Sequence, residues 1–247
     1  MNILTFRTNQ ELNAAGAGII TGLIQTNPRA VLGLATGSTP IGIYEELVSS
    51  FKKGLVSFKL ATSFNLDEYA GLPLDHPESY HTYMDQHLFR HIDLPAAQCH
   101  IPNGTAADLE AECRRYDLLL EEAKQIDLQI LGLGHNGHIG FNEPDQSLNS
   151  GTHVVKLRES TRQANARFFD SIEQVPTHAL TMGVGMILKA KTILLVVRGK
   201  DKAEIVHEAL TGPIRTEIPA SLLQTHPNLV VLLDEEAGRC FHGKQQV

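Results

Sequence analysis

Thr192-Ile193-Leu194-Leu195-Val196-Val197 is apolar at every position after its first, and its reading decides the fold. A strand with one wet face alternates apolar and polar residues, because successive side chains point to opposite sides. This run has no polar side at all. It suits a sheet covered above and below, as parallel sheets are. Similar segments recur at Ile3 to Phe6, Val31 to Ala35, Leu60 to Asn65, Leu128 to Leu131 and Leu229 to Leu233. Further strand candidates lie at Thr152 to Leu157 and Ala179 to Met182. Amphipathic stretches alternate with them. Thr8-Asn9-Gln10-Glu11 has the form of a capping box opening a helix to about Gln25. Helices are also expected over Ile41 to Lys53, Ser79 to His91 and Asp108 to Lys124. In the last of these, Leu109, Cys113, Tyr116 and Leu120 recur at helical spacing.

Strands alternating with helices predict an α/β fold: a doubly wound, mostly parallel sheet flanked by helices on both faces, Rossmann-like and three-layered. No repeat, low-complexity tract or linker divides the 247 residues, so 1–247 reads as a single domain. The composition is that of an ordinary soluble globule, 42% hydrophobic and 20% charged. A net charge of −7 without a basic, aromatic-interleaved stripe argues against a nucleic-acid partner. Cys99, Cys113 and Cys240 have no metal-ligand spacing and read as reduced thiols. The N-terminus lacks a signal pattern, and no apolar run approaches the ~20 residues that span a bilayer. The expectation is a cytoplasmic protein with no membrane partner.

In such sheets ligands bind beyond the carboxyl ends of the strands, and three loops there carry chemistry. Thr36-Gly37-Ser38-Thr39-Pro40 follows the second strand. Thr39 suits the N-cap of the next helix and Pro40 its first position. The loop is either a plain capped turn or an anion-binding nest, with Gly37 curling the amides and hydroxyls adding donors. It lacks the Gly-Lys-Ser/Thr ending of a Walker loop. The second loop, Asn65-Leu66-Asp67-Glu68-Tyr69, places two acids on opposite faces of an extended segment, so one serves a site and the other a structural role. Asp67 is the better site candidate.

The third loop, Gly132-Leu133-Gly134-His135-Asn136-Gly137-His138-Ile139-Gly140-Phe141-Asn142-Glu143-Pro144, threads proton-handling groups among four glycines. A zinc site needs a further close ligand beyond His135 and His138. General acid–base work by His138, with Glu143 behind it, is the stronger reading. The other histidines, including His76, His81, His87 and His91, read as surface or packing residues. Arg162, Arg167, Lys200 and Lys202 are either surface charges or partners for a phosphate held by the Thr36 to Thr39 loop.

Taken together, Leu34 to Pro40, Phe64 to Tyr69 and Gly134 to Pro144, with Asn165-Ala166-Arg167-Phe168-Phe169 and Ala179 to Gly183, resemble glucosamine-6-phosphate deaminases. The likeness runs in order from the first strand nearly to Leu233. It implies conversion of the sugar phosphate glucosamine 6-phosphate and water to fructose 6-phosphate and ammonia, with no metal and no organic cofactor. His138 would open the ring, held by Asn136 and Glu143, and Asp67 would move the C2 proton to C1. Thr36, Gly37, Ser38, Thr39, Arg167 and Lys202 would bind the substrate phosphate. Residues 158–175 would form a mobile lid.

Two departures accompany the likeness. Asn136 stands where larger members carry Asp, leaving Glu143 as the one carboxylate to polarise His138. His153 and Val155 stand where the allosteric branch has basic residues, and that branch has a longer C-terminal extension. A monomer or small homo-oligomer, without activation by N-acetylglucosamine 6-phosphate, is therefore expected. The rival readings are a 6-phosphogluconolactonase-like esterase, which does not call for Phe141-Asn142-Glu143-Pro144 after the shared His, and a catalytically silent sugar-phosphate-binding regulator.

Overall fold

A computed structural model describes residues 1–241; the remainder of the single expected domain, 242–247, lies outside the described residues. Ten strands are present among those described: β1 Asn2–Phe6, β2 Val31–Leu34, β3 Thr62–Asn65, β4 Asp67–Tyr69, β5 Cys99–His100, β6 Leu128–Leu131, β7 His153–Lys156, β8 His178–Thr181, β9 Thr192–Val197 and β10 Leu229–Asp234. Seven form one sheet in the order β1-β10-β9-β6-β2-β3-β5, parallel throughout. The expected doubly wound sheet is thus observed. Its central strands are dry on both faces: Ile193, Leu194, Leu195 and Val196 of β9 have no exposed surface. Such burial contributes about 25 cal/mol per Å2 of apolar area removed from water.

Right-handed crossovers decide where the helices go. The chain moves one way through β1, β2, β3 and β5, so helices Asn9–Thr26, Ile41–Lys52 and Tyr80–His87 cover one face. It then returns through β6, β9 and β10, and helices Leu109–Glu122 and Ala203–Thr211 cover the other. The expected capping box is present: Thr8 Oγ1 accepts from Glu11 N–H at 3.1 Å, and Glu11 Oε2 accepts from Thr8 N–H at 3.1 Å.

Three findings differ from the sequence reading. The third strand starts at Thr62, because Leu60 sits in an exposed turn. The helix expected to reach His91 breaks at Leu88 (φ −142°), whose side chain is buried, and resumes as a 3-10 turn over Phe89–His91. The strands expected near residues 152 and 179 leave the main sheet. With β4 they form a separate antiparallel sheet in the order β4-β8-β7. β4 and β5 themselves, three and two residues long, were not expected as strands.

One residue joins the two sheets. Leu66 N–H donates to Leu34 O of β2 at 3.1 Å, and Leu66 O accepts from Met182 N–H at 2.7 Å. The strand therefore passes from the large sheet to the small one without a loop, and Asp67 is the first residue across. No helix among the described residues is long and apolar enough to cross a membrane.

Candidate active site

β2 and β6 lie side by side, yet the chain leaves them toward opposite edges of the sheet. The loops that follow them diverge and open a crevice at their carboxyl ends, as topology requires at a switch point. The crevice is a cleft of about 610 Å3. Its walls include Thr36 to Thr39, Asp67, Tyr80, Gly132 to Asn136, His138, Thr161, Asn165, Arg167, Arg198 and Lys202. Of the expected site residues, only Glu143 does not line it; that carboxylate lies buried behind Asn136.

At one end is the Thr36 to Thr39 loop. Gly37 adopts φ +86°, with nothing within 4 Å of where a Cβ would stand, so conformation rather than space requires glycine there. Two tyrosines brace the loop. Tyr44 Oη accepts from Ala35 N–H at 3.2 Å and donates to Ala35 O at 2.6 Å, while Tyr83 Oη donates to Gly37 O at 2.6 Å. Thr39 does not cap the next helix. Pro40 occupies the capping position with no side-chain bond, which leaves the Thr39 side chain in the cleft wall.

The cations sort themselves. Arg167, on the 3-10 turn Ala166–Phe168, lines the cleft and stacks over Phe168 at 4.7 Å. Lys202 also lines it and donates to Leu133 O at 2.9 Å. Burial lowers the Lys202 ammonium to about 8, Arg167 pushing the same way and Asp201 opposing. Arg162 instead binds Ile172 O and Val175 O, and Lys200 is exposed, so neither faces the cleft. Arg198, not singled out in the sequence, lines the cleft and bonds to Asn13.

The glycine-rich loop builds the second wall. A Cβ on Gly134 would lie 2.3 Å from His138 Nε2, so that glycine makes room for the imidazole ring. His138 N–H donates to Asn136 Oδ1 at 3.2 Å. A backbone N–H only donates, so this contact fixes which end of the Asn136 amide is oxygen. His138 Nδ1, 2.7 Å from the same Oδ1, must then carry the ring proton, which leaves Nε2 as the free base in the neutral ring. Asn136 Nδ2 donates to Glu143 Oε2 at 2.7 Å, and Glu143 Oε1 accepts from Thr161 Oγ1. Glu143 stands 3.5 Å from His138 Nδ1, so it acts on the ring mainly through Asn136 rather than directly. Burial works to raise the Glu143 carboxyl, but the nearby His138 ring and the hydrogen bonds from Thr161 and Asn136 hold it down at about 2. His135 turns outward to pair with Asp201 at 2.7 Å on the rim. Among the described residues no three His, Cys, Asp or Glu gather as metal ligands.

Asp67 forms the third wall. Its carboxylate is 7% exposed and receives no hydrogen bond among the described residues. Burial, then the neighbouring charge of Glu68, push it up to about 8. Glu68 points the other way, as the alternation of an extended strand demands. It accepts from Tyr69 N–H at 2.8 Å, Tyr80 N–H at 3.0 Å and His81 N–H at 3.1 Å, and lies 2.8 Å from His81 Nδ1. It thereby ties β4 to the start of helix Tyr80–His87, the end that favours a negative charge. His81 is thus a partner of a buried carboxylate rather than a plain surface residue.

Sequence reasoning missed Tyr80, Tyr83, Thr161 and Asn165. Each is a lone polar residue whose partner is distant in the chain. No local pattern marks them.

The family model for glucosamine-6-phosphate isomerases/6-phosphogluconolactonase matches residues 7–231. A glucosamine-6-phosphate deaminase of Bacillus pumilus is 52% identical over 238 residues, covering 96% of this chain and 99% of its own length. A solved structure of a monomeric glucosamine-6-phosphate deaminase superposes with a TM-score of 0.94 at 51% identity, over 97% of this chain and 99% of that one. A 6-phosphogluconolactonase from Trypanosoma cruzi shares the fold alone: TM-score 0.80 and 18% identity, over 96% of both chains. The chain belongs to the glucosamine-6-phosphate isomerase/6-phosphogluconolactonase family.

Proposed function

We propose that this chain is a glucosamine-6-phosphate deaminase, converting D-glucosamine 6-phosphate and water to D-fructose 6-phosphate and ammonia. The observation that carries the reading is a single cleft in which a buried, donor-free carboxylate, Asp67, shares the space with a histidine whose free nitrogen is set by Asn136. Whole-length likeness to deaminases at about 50% identity supports it.

On this reading the roles are as follows. The phosphate is anchored by the Thr36 to Thr39 loop with Arg167 and Lys202, so the sugar extends toward Asp67 and His138. His138 Nε2 takes the proton of the anomeric hydroxyl, and the imidazolium so formed returns it to the ring oxygen as the ring opens. Asn136 and Glu143 stabilise that cation, Glu143 supplying the charge and Asn136 the orientation. Asp67 removes the C2 proton while a proton of the substrate's ammonium passes to the C1 carbonyl oxygen, and it then delivers the C2 proton to C1 of the enolamine. Water adds to the resulting C2 imine, and ammonia departs to leave the ketone. Each positioned acid–base group contributes typically ~10²–10⁴-fold. A base at about 8 is well matched to a weakly acidic C–H near neutral pH.

The same reading takes 158–175 as a lid over the cleft of a one-domain cytoplasmic enzyme. A monomer or small homo-oligomer acting on a small sugar phosphate, with no nucleic-acid or membrane partner, suits the net charge of −7 and the monomeric deaminase of similar structure. The test is to incubate purified protein with glucosamine 6-phosphate and follow ammonia and fructose 6-phosphate together. Equal release of both is expected. No release, with hydrolysis of 6-phosphogluconolactone instead, would overturn the assignment in favour of the esterase.

A further inference from the structure

The short helix Glu159–Asn165 lies over the cleft and touches both catalytic arms from one face. Thr161 and Asn165 are four residues apart, one helical turn, and so project together. Thr161 Oγ1 donates to Glu143 Oε1, and Asn165 Nδ2 donates to Tyr69 Oη at 2.8 Å. Tyr69 belongs to the same three-residue strand as Asp67. The Thr161 hydroxyl is the outer end of a chain of hydrogen bonds that runs through Glu143 and Asn136 to His138.

We propose that Thr161 is a positioning residue for ring opening: its hydroxyl fixes the rotation of the Glu143 carboxylate, which holds the Asn136 amide and through it the His138 ring. The inference rests on the deaminase reading and extends it to a residue outside the catalytic groups. Among the described residues Glu143 Oε1 has Thr161 as its one side-chain partner, while Oε2 serves Asn136. Without the hydroxyl, Oε1 loses that donor and the carboxylate is free to rotate. Asn136 Nδ2 then loses its fixed acceptor, and the amide is held at its oxygen alone, by His138 N–H at 3.2 Å and the mobile ring Nδ1 at 2.7 Å. The His138 ring is then no longer held in one orientation and one tautomer. Thr161 is itself 7% exposed, so solvent does not readily substitute for it.

The experiment compares Thr161→Val, which keeps shape and removes the hydroxyl, with Thr161→Ser, which keeps the hydroxyl. Wild-type release of ammonia and fructose 6-phosphate is measured first, since its absence would sink the deaminase reading rather than this inference. Given wild-type turnover, Thr161→Val is expected to lower kcat about 30-fold with KM changed less than about threefold, short of the full contribution of an acid–base group. Thr161→Ser should restore kcat to within about threefold. Nitrogen NMR of the His138 ring, assigned by its loss in His138→Asn, should show the Nδ1–H tautomer in wild type and a mixture in Thr161→Val. If Thr161→Val folds poorly, Thr161→Ala against Thr161→Ser makes the same contrast. Equal impairment of the serine and the hydroxyl-free variants, or an unchanged tautomer with unchanged kcat, would show that Thr161 only packs and would overturn the proposal.

Discussion

Two buried carboxylates serve this cleft, and their surroundings push them in opposite directions. Asp67 accepts no hydrogen bond among the described residues, lies beside the negative Glu68, and is raised to about 8. Glu143 accepts from Asn136 and Thr161, lies near His138, and is held at about 2. Burial alone would raise both. What separates them is the supply of donors and of positive charge. On the proposed function, one is the group that exchanges protons near neutrality and the other a fixed anion. Pairs of carboxyls driven apart in this way mark a division of labour between proton transfer and charge stabilisation.

The sharpest way to break the comparison is to neutralise each acid in turn. Asp67→Asn should cost at least about 10⁴-fold in kcat and abolish exchange of the C2 proton with solvent deuterium. Continued exchange would exclude Asp67 as the base. The same change should stabilise the fold at high pH. A raised folded pKa means stability is lost as pH climbs from the unfolded value toward about 8. The gain in Tm should therefore be full above about pH 8 and fade to nothing near pH 4.

Glu143→Gln should reduce kcat about 100-fold, since the imidazolium loses its counter-charge while Asp67 is untouched. Its effect on stability has the opposite sign. A depressed folded pKa gives stability that is present above the unfolded value of about 4.5 and lost as pH falls through about 2. The variant should melt below wild type at neutral pH, and the gap should close in acid. Melting curves of both variants across pH that ran parallel, rather than diverging, would undo the contrast between the two acids.

Smaller effects sharpen it. Lys202 titrates at about 8, so phosphate affinity should weaken above that pH, raising KM several-fold with kcat nearly flat. A flat KM to pH 9.5 or so would remove Lys202 from the phosphate site. The gentlest probe is Glu68→Gln, which withdraws a charge beside Asp67 but leaves burial in place. The acidic limb of kcat/KM should move down by about one pH unit. A limb that did not move would mean burial alone sets the base.

The parallel sheet was readable because its strands are uniform. β6 and β9 match the expected bounds to the residue: β9 is apolar after its first position, and in β6 only Gln129 interrupts the apolar residues. The small sheet was not readable, because Val154 and Val155 carry the same apolar signal wherever they pair. Antiparallel pairing of β8 with β4 is fixed by tertiary contact rather than local pattern. At the site, alternation along Asp67-Glu68 already placed the two acids on opposite faces, and spacing drew attention to His138 and Glu143. Thr161 escaped notice since a hydroxyl on a polar helix carries no signal until its partner, eighteen positions back, is beside it. Thr39 was misread for a related reason: a Thr-Pro pair suits a capped helix start, yet the helix began without using the hydroxyl.

The passage of the chain through Leu66 has a consequence for how this cleft can vary between relatives. Because Leu66 is hydrogen-bonded forward to one sheet and backward to the other, there is no slack in which an added residue could bulge. A single insertion or deletion there would exchange the faces of its two neighbours. Glu68, stripped of its four N–H partners, would enter the cleft, and Asp67 would be turned against the helix. At this junction the spacing is frozen, and only the identity of the side chains is open to change.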